Sequence, residues 1–242
     1  MRELCALTDT IVREAFGAPD PTAVQFQLEG DDFRSTVESL RRGFRKNADA
    51  KGLFRAVLEH AGVEPERTGW DWLHLRVLPH GEGHAGSSTS GLGFHRDTWS
   101  SNVYAQTNWW APIYPITAAR TVAFYPRYWG TPLANTSAEW DLEEARRKPA
   151  SLPLVPRPTE AVDTSDELRL VPEPGNLLCF SGAHLHASTP NESGRARFSI
   201  EVRTVHEADL ARRRGAPNVD GSAPHVAVTW FRRVSDNSPL TG

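Results

Sequence analysis

Apolar residues recur at helical spacing through the first sixty positions, and the pattern then changes to strict alternation. Leu4, Leu7, Ile11, Val12 and Phe16 line one face of a helix over 1–16, ended by Gly17 and Pro19. Phe33, Val37, Leu40 and Phe44 mark a second helix, capped by Asp31 or Asp32 and running to about Lys46. Leu53, Val57 and Leu58 mark a third over 49–60, with Gly62 as its stop and His60 at its end, where the helix dipole favours it. From Trp70 the period is two: Trp70, Trp72, His74 and Arg76 oppose Asp71, Leu73, Leu75 and Val77 in a strand that ends at Pro79. Further strands are expected at 102–111, 121–125, 168–171, 177–180 and 195–204. A short helix follows over 206–214, and a last strand or helix over 226–234 is tucked down by Trp230 and Phe231.

Two of these strands have an unusual second face. In 102–111, Asn102, Tyr104, Gln106, Asn108 and Trp110 share one side, opposite Val103, Ala105, Thr107 and Trp109. In 195–204, Ala196, Phe198, Ile200 and Val202 oppose Arg195, Arg197, Ser199, Glu201 and Arg203. If the helices cover the apolar face, the charged face looks inward, where charges are costly unless paired or bound to a ligand. The pattern gives a mainly β chain with flanking helices, read as one domain. Residues 1–65 form helical support and 70–205 the β core; the Pro-rich insertion 131–163, with a helical patch near 137–148, forms a lobe over the mouth, and 206–242 is a C-terminal extension. The Gly- and Ser-rich stretch 79–93 is a loop, a lid over whatever follows it, with His80 and His84 on its surface.

Composition narrows the classes. The chain has 242 residues, a formal charge of −3, 39% hydrophobic and 24% charged residues. That is ordinary for a globular domain and gives no electrostatic case for nucleic acid or an anionic membrane. Cys5 and Cys179, the two cysteines, are expected as buried free thiols. There is no secretory-leader pattern and no apolar run of about 18 residues, so a cytoplasmic protein is expected.

The chemistry lies in Gly93-Phe94-His95-Arg96-Asp97-Thr98-Trp99 and in 172–203. On an extended strand His95 and Asp97 would share a face, supplying two ligands of a 2-His-1-carboxylate set, which suits non-heme Fe(II). A third can come from His184 or His186, which share a face if extended. Arg197 on the charged strand is placed to form a bidentate pair with a carboxylate, with Ser199 adding a hydroxyl and Gln106 or Asn108 assisting. Trp99, Tyr104, Trp110, Arg120 and Arg127 lie where substrate-pocket walls are expected.

The ordered set of H-x-D, a distal His and Arg-x-Ser about ten residues later resembles the Fe(II)/2-oxoglutarate-dependent dioxygenases. The run from His186 to Asn191 (H-x-S-x-P-N) is similar to their phytanoyl-CoA dioxygenase-like branch. The resemblance spans about residues 70–205. It implies a double-stranded β-helix (jelly-roll, cupin-like) barrel, with Fe(II) held by His95, Asp97 and His186, the co-substrates 2-oxoglutarate and O2, and Arg197 and Ser199 on the distal carboxylate. It selects His186 over His184, because the family's metal His precedes Ser-x-Pro-Asn by one residue. The implied activity is oxidation, foremost hydroxylation, of a small-molecule metabolite such as an amino acid or natural-product intermediate. Desaturation, ring closure and epimerisation use the same chemistry. The rivals are a cupin-type metalloenzyme or isomerase that dispenses with Arg197, and a non-catalytic ligand-binding barrel that has no need of Asp97.

Overall fold

The computed structural model describes residues 1–81, 93–147 and 153–240. In chain order the elements are α1 (Arg2–Phe16), α2 (Gly30–Lys46), α3 (Ala48–His60), β1 (Thr68–Trp70), β2 (His74–Leu78), α4 (Thr98–Ser101), β3 (Thr107–Pro112), β4 (Val122–Phe124), α5 (Leu142–Arg147), β5 (Leu168–Leu170), β6 (Leu178–Ser181), β7 (His186–Ser188), β8 (Arg197–His206), α6 (Glu207–Ala211) and β9 (Arg232–Arg233). Gly17 ends α1 at φ 60, where its amide reaches back to the carbonyls of Arg13 and Glu14. Asn47 caps α3 by accepting from the Ala50 amide at 2.8 Å. No side chain caps α2; Asp31 and Asp32 lie in its first turn, where they favour the dipole.

The strands form two antiparallel sheets. The larger runs β6-β3-β8-β1-β9 with β2 also paired to β8, and the smaller runs β5-β4-β7. Among the described residues the pairing does not close the sheets into a barrel. The ten-residue strand β8 is the hub: β3 flanks one side, and β1 and β2 share the other. Its Phe198, Ile200 and Val202 pack with Trp109 of β3, Leu75 and Val77 of β2, and Val12, Phe33, Phe44, Phe54 and Leu58 of the three helices. The helices thus cover the outer face of the larger sheet and turn the charged face of β8 toward the smaller one.

The expected strand from Trp70 to Val77 is broken at 71–73. The Asp71 amide donates to the Arg203 carbonyl at 3.0 Å, but the Arg203 amide donates to Asp71 Oδ1 at 2.8 Å. A carboxylate has taken a ladder position, and the parity changes there: Trp70 enters the same core as Leu73, Leu75 and Val77, and Asp71 joins the charged side. The expected strand at 102–111 starts only at Thr107, because 98–101 is helical and Asn102 is left-handed at φ 53. Cys5 is buried as expected, but Cys179 is exposed, on the edge strand β6.

The smaller sheet has its own two faces. Val122 and Phe124 point at Trp110 and Phe180, whereas Ala123 and Ala187 pack outward on Leu133, Tyr128 and Val162. The described parts of 131–163 therefore cover the outer face of this sheet rather than the mouth. The proposed lid lies outside the described residues apart from its ends, His84 included. No helix of the described residues is long and apolar enough to cross a membrane.

The C-terminal extension fastens the segment that follows His95. Asp220 accepts from Arg96 Nε at 3.1 Å, Trp99 Nε1 at 2.6 Å and the Leu133 amide at 3.0 Å. Arg96 and Asp220 are both almost fully buried, so losing the carboxylate leaves a guanidinium in a dry site. Asp220→Ala should lower unfolding stability by about 3–5 kcal/mol, measured by denaturant titration. Asp220→Asn should recover part of this, because its one amide oxygen can still accept from Trp99, which donates to a different oxygen from that used by Leu133 and Arg96. A loss in the alanine variant below about 1 kcal/mol would contradict this role.

Candidate metal centre and anion site

The two histidines are brought together by the backbone. His95 and His186 form an isolated antiparallel bridge in which each amide donates to the other's carbonyl at 3.0 Å. Residues directly opposite in such a pair project to the same side, and the ring centroids lie 4.2 Å apart. Asp97 arrives differently. It is helical (φ −62, ψ −30) at the start of α4, so the expected extended H-x-D geometry is replaced by a strand-to-helix turn that brings the carboxylate up beside the rings. Asp97 Oδ1 lies 3.9 Å from His95 Nε2, and Oδ2 lies 3.9 Å from His186 Nε2. All three residues are buried, and their ligand atoms fall within 4.8 Å of one another.

The hydrogen bonds fix which atoms are free. His95 Nδ1 contacts the Gly93 carbonyl at 2.8 Å and His186 Nδ1 contacts the His184 carbonyl at 2.9 Å. A carbonyl only accepts, so Nδ1 carries the proton and Nε2 keeps its lone pair facing the cluster. His95 Nε2 is buried with no partner. Burial, reinforced by the neighbouring His186 ring, lowers the His95 pKa to about 4. Asp97 is held below the usual carboxylate range: burial pushes it up, but Arg203 and the two histidines outweigh that. Two imidazole nitrogens and a carboxylate facing one point are a donor set that could hold a divalent metal. Phe180 (5.1 Å) and Phe124 (6.0 Å) pack around the His186 ring.

A second group of unsatisfied atoms lies at the start of β8. Arg197 donates from Nη1 to the Thr121 carbonyl at 2.7 Å and from Nη2 to Ser188 Oγ at 3.2 Å, and it lies over Trp110 at 5.5 Å. Arg197 Nε and Ser199 Oγ are buried without partners. Among the described residues no carboxylate forms an ion pair with Arg197, and burial brings its pKa down to about 10. A buried guanidinium beside a vacant hydroxyl is a receiver for an anion.

The other expected site residues have different partners. Gln106 Nε2 donates to Asn108 Oδ1 at 2.8 Å, and Asn108 Nδ2 donates to Asp97 Oδ2. The amide face predicted for the co-substrate therefore serves the carboxylate. Trp110 faces the space between the sheets. Trp99 is completely buried behind the smaller sheet. Tyr104 lies under the C-terminal loop, where a Cβ on Gly221 would come within 2.2 Å of its hydroxyl. Arg120 braces Pro115 and Ser193, and Arg127 is on the surface with Asp163. His184 stacks on Trp129 at 4.2 Å, His74 lies 3.5 Å from Asp71, and His80 Nδ1 accepts from the Gly194 amide at 3.2 Å. Asn191 of the H-x-S-x-P-N run is structural, holding the Leu78 and Arg195 carbonyls at 3.0 and 2.8 Å.

The sequence reading assigned no role to Glu201, Arg203 or Asp71. Arg76 grips Glu201 through two contacts of 3.1 and 3.2 Å, and Arg203 stands among Asp71, Glu201 and Asp97. The signal was present in the alternation of β8, where Glu201 and Arg203 share a face with Arg197 and Ser199.

No protein-family model matches the sequence, and no curated protein matches it. Solved structures do. The non-heme monooxygenase ThoJ, in its apo form, is similar over 86% of this chain and 71% of its own, at 14% identity and a TM-score of 0.51. EvdO2 from Micromonospora carbonacea var. aurantiaca, complexed with 2-oxoglutarate, is similar over 71% and 64%, at 13% identity and a TM-score of 0.47. The non-heme alpha ketoglutarate dependent carbocyclase SnoK from nogalamycin biosynthesis is similar over 78% and 72%, at 12% identity and a TM-score of 0.42. At these identities the likeness is one of fold, and it is carried by ThoJ.

Proposed function

We propose that this protein is a non-heme Fe(II)/2-oxoglutarate-dependent oxygenase with a jelly-roll core of the phytanoyl-CoA dioxygenase-like kind, acting on a small-molecule metabolite. His95, Asp97 and His186 hold the iron. Arg197 and Ser199 hold the distal carboxylate of 2-oxoglutarate. The observation that carries this reading is that the His186 ring and the contact of the buried Arg197 of β8 lie on the same short stretch of β7. His186 Nε2 faces the cluster, and Ser188, two residues or about 7 Å further along β7, touches the Arg197 guanidinium, which no carboxylate pairs among the described residues. A short diacid bound at the metal by one end is matched at the other by Arg197.

Fe(II) held by His95, Asp97 and His186 would supply dioxygen activation, in which oxidative decarboxylation of 2-oxoglutarate to succinate and CO2 would take one oxygen atom and the substrate the other, most simply as a hydroxyl. The chain's own residues orient and exclude water. The carbonyls of Gly93 and His184 keep both imidazoles in the ligating tautomer, Asn108 holds the carboxylate, and Phe124, Phe180 and Trp110 keep the surroundings dry. Of the residues expected to touch substrate, Trp110 is the one in this space. The intact Asp97 carboxylate fits hydroxylation or a related oxidation, with an amino acid or natural-product intermediate as the substrate class.

Wild-type protein should take up one equivalent of Fe(II), and the variants His186→Ala and Asp97→Ala should lose stoichiometric binding, read by anaerobic titration with metal analysis of the desalted protein. Uptake unchanged in both variants would exclude this centre.

With Fe(II), ascorbate and O2, the protein should form succinate slowly from 2-oxoglutarate even without substrate. Arg197→Ala should raise the KM for 2-oxoglutarate about 10- to 100-fold, the equivalent of ~1.5–3 kcal/mol for charge-assisted hydrogen bonds. A metal-replete protein indifferent to 2-oxoglutarate would be the cupin-type enzyme instead, and one that binds no metal a ligand-binding barrel.

A further inference from the structure

Asp97 is held on both oxygens by protein groups. Asn108 donates to Oδ2, and Arg203 Nη1 lies 3.6 Å from Oδ1. Arg203 is itself fixed from three directions. Its Nε lies 3.1 Å from Asp71 Oδ2, off the N–H axis, so that the contact is ionic rather than a hydrogen bond. Its Nη2 lies 3.5 Å from Glu201 Oε1, and Glu201 is in turn locked by Arg76. Its own amide donates to Asp71 Oδ1. Asp71 reaches this place because the edge of the larger sheet breaks between β1 and β2. The chain gives up regular pairing at 71–73 to put a carboxylate under this one guanidinium.

A surface-type neutralising cation needs none of this. Arg203 is about seven-eighths buried, and its planar fork spans three carboxylates, a geometry that a lysine cannot reproduce. We propose that Arg203 is a positioning residue for the metal carboxylate: it faces Oδ1 of Asp97 with a fixed guanidinium and so orients Asp97 to ligate through a single oxygen. A carboxylate spread over both oxygens would take one more position of the metal and leave fewer for co-substrates. Partners of this kind orient ligands and typically change metal affinity 10- to 100-fold when removed. The inference rests on the proposed His95–Asp97–His186 centre.

The test uses Co(II), whose visible absorption reports coordination, on the full-length chain, with His186→Ala as the control for binding at the centre. Arg203→Gln should weaken Co(II) binding at least about 10-fold and change the visible spectrum. Arg203→Lys, which keeps the charge but not the fork, should fall between it and wild type. Asp71→Asn, which leaves Arg203 in place but loosens it, should shift affinity in the same direction by less. If Arg203→Gln does not fold, the other two variants carry the test. A purely structural arginine would lower the melting temperature of the metal-free protein and leave affinity and spectrum unmoved. Folded Arg203→Lys and Asp71→Asn that bind Co(II) within twofold of wild type, with its spectrum, would overturn the inference alone. A wild-type protein whose Co(II) binding ignores His186→Ala would overturn the proposed centre with it.

Discussion

Ionised side chains placed between two packed sheets must each find a counter-charge or a ligand, and this requirement shapes the interior of the molecule. Arg76, Arg197 and Arg203 enter from the larger sheet, as do the carboxylates of Asp71 and Glu201, while Asp97 comes from the turn before α4. Desolvation of a charge costs several kcal/mol even after relaxation, and a partner of good geometry must recover it. Arg76 has Glu201, and Arg203 has Asp71, Glu201 and Asp97. Both Asp97 and Glu201 are held well into their ionised range by these cations. Among the described residues Arg197 has a carbonyl, a hydroxyl and an aromatic face. A guanidinium between the sheets that no carboxylate pairs among the described residues is the clearest chemical request that the fold makes.

The helices belong to the same logic. β8 is amphipathic in the inverse of the usual sense, since the side that meets α1, α2 and α3 is apolar and the side turned to the smaller sheet is charged. Slipping a strand by one residue exchanges its two faces. The register of β8 against β3 and β2 therefore decides whether Arg197 and Arg203 reach the site or the helical core. The tight packing of Phe198, Ile200 and Val202 under the helices fixes that register, so the N-terminal third of the chain contributes to the site without touching it.

What could be read from the sequence divides along the range of the interactions. The helices follow from apolar spacing over a few turns, and the inward face of β8 from its alternation together with the presence of helices to cover the other side. His95, Asp97, His186, Arg197 and Ser199 were legible as an ordered motif. Long-range capture was not. Nothing local says that Asp71 will take the amide of Arg203, more than a hundred residues away, and break its own strand, or that Asn108 and Gln106 will be spent on Asp97. The insertion after β4 is polar enough to suit a mouth or an outer surface, and only the alanines at 123 and 187, which leave room on the outer face of the smaller sheet, place it. Cys179 looked buried because its neighbours are apolar; the edge position of β6 decides otherwise.

The centre also shows why the H-x-D spacing need not mean an extended strand. The histidine is fixed by a two-bond bridge to β7, and the aspartate by the first turn of α4, whose backbone is tied to the opposite loop through Thr98 and Gly182 at 3.3 Å. Arg96, between them, is anchored to the Ala183 carbonyl at 2.6 Å and to Asp220. Each residue of the motif is thus held by a different part of the chain. The bridge sets the spacing of the two imidazoles, Arg96 sets the depth of the turn, and Asn108 with Arg203 sets the direction of the carboxylate. Burial and the neighbouring His186 ring disfavour protonation of His95, and both Nδ1 atoms are engaged by carbonyls. Both Nε2 atoms therefore already face the carboxylate, so a metal at the proposed centre would need no rearrangement of the backbone.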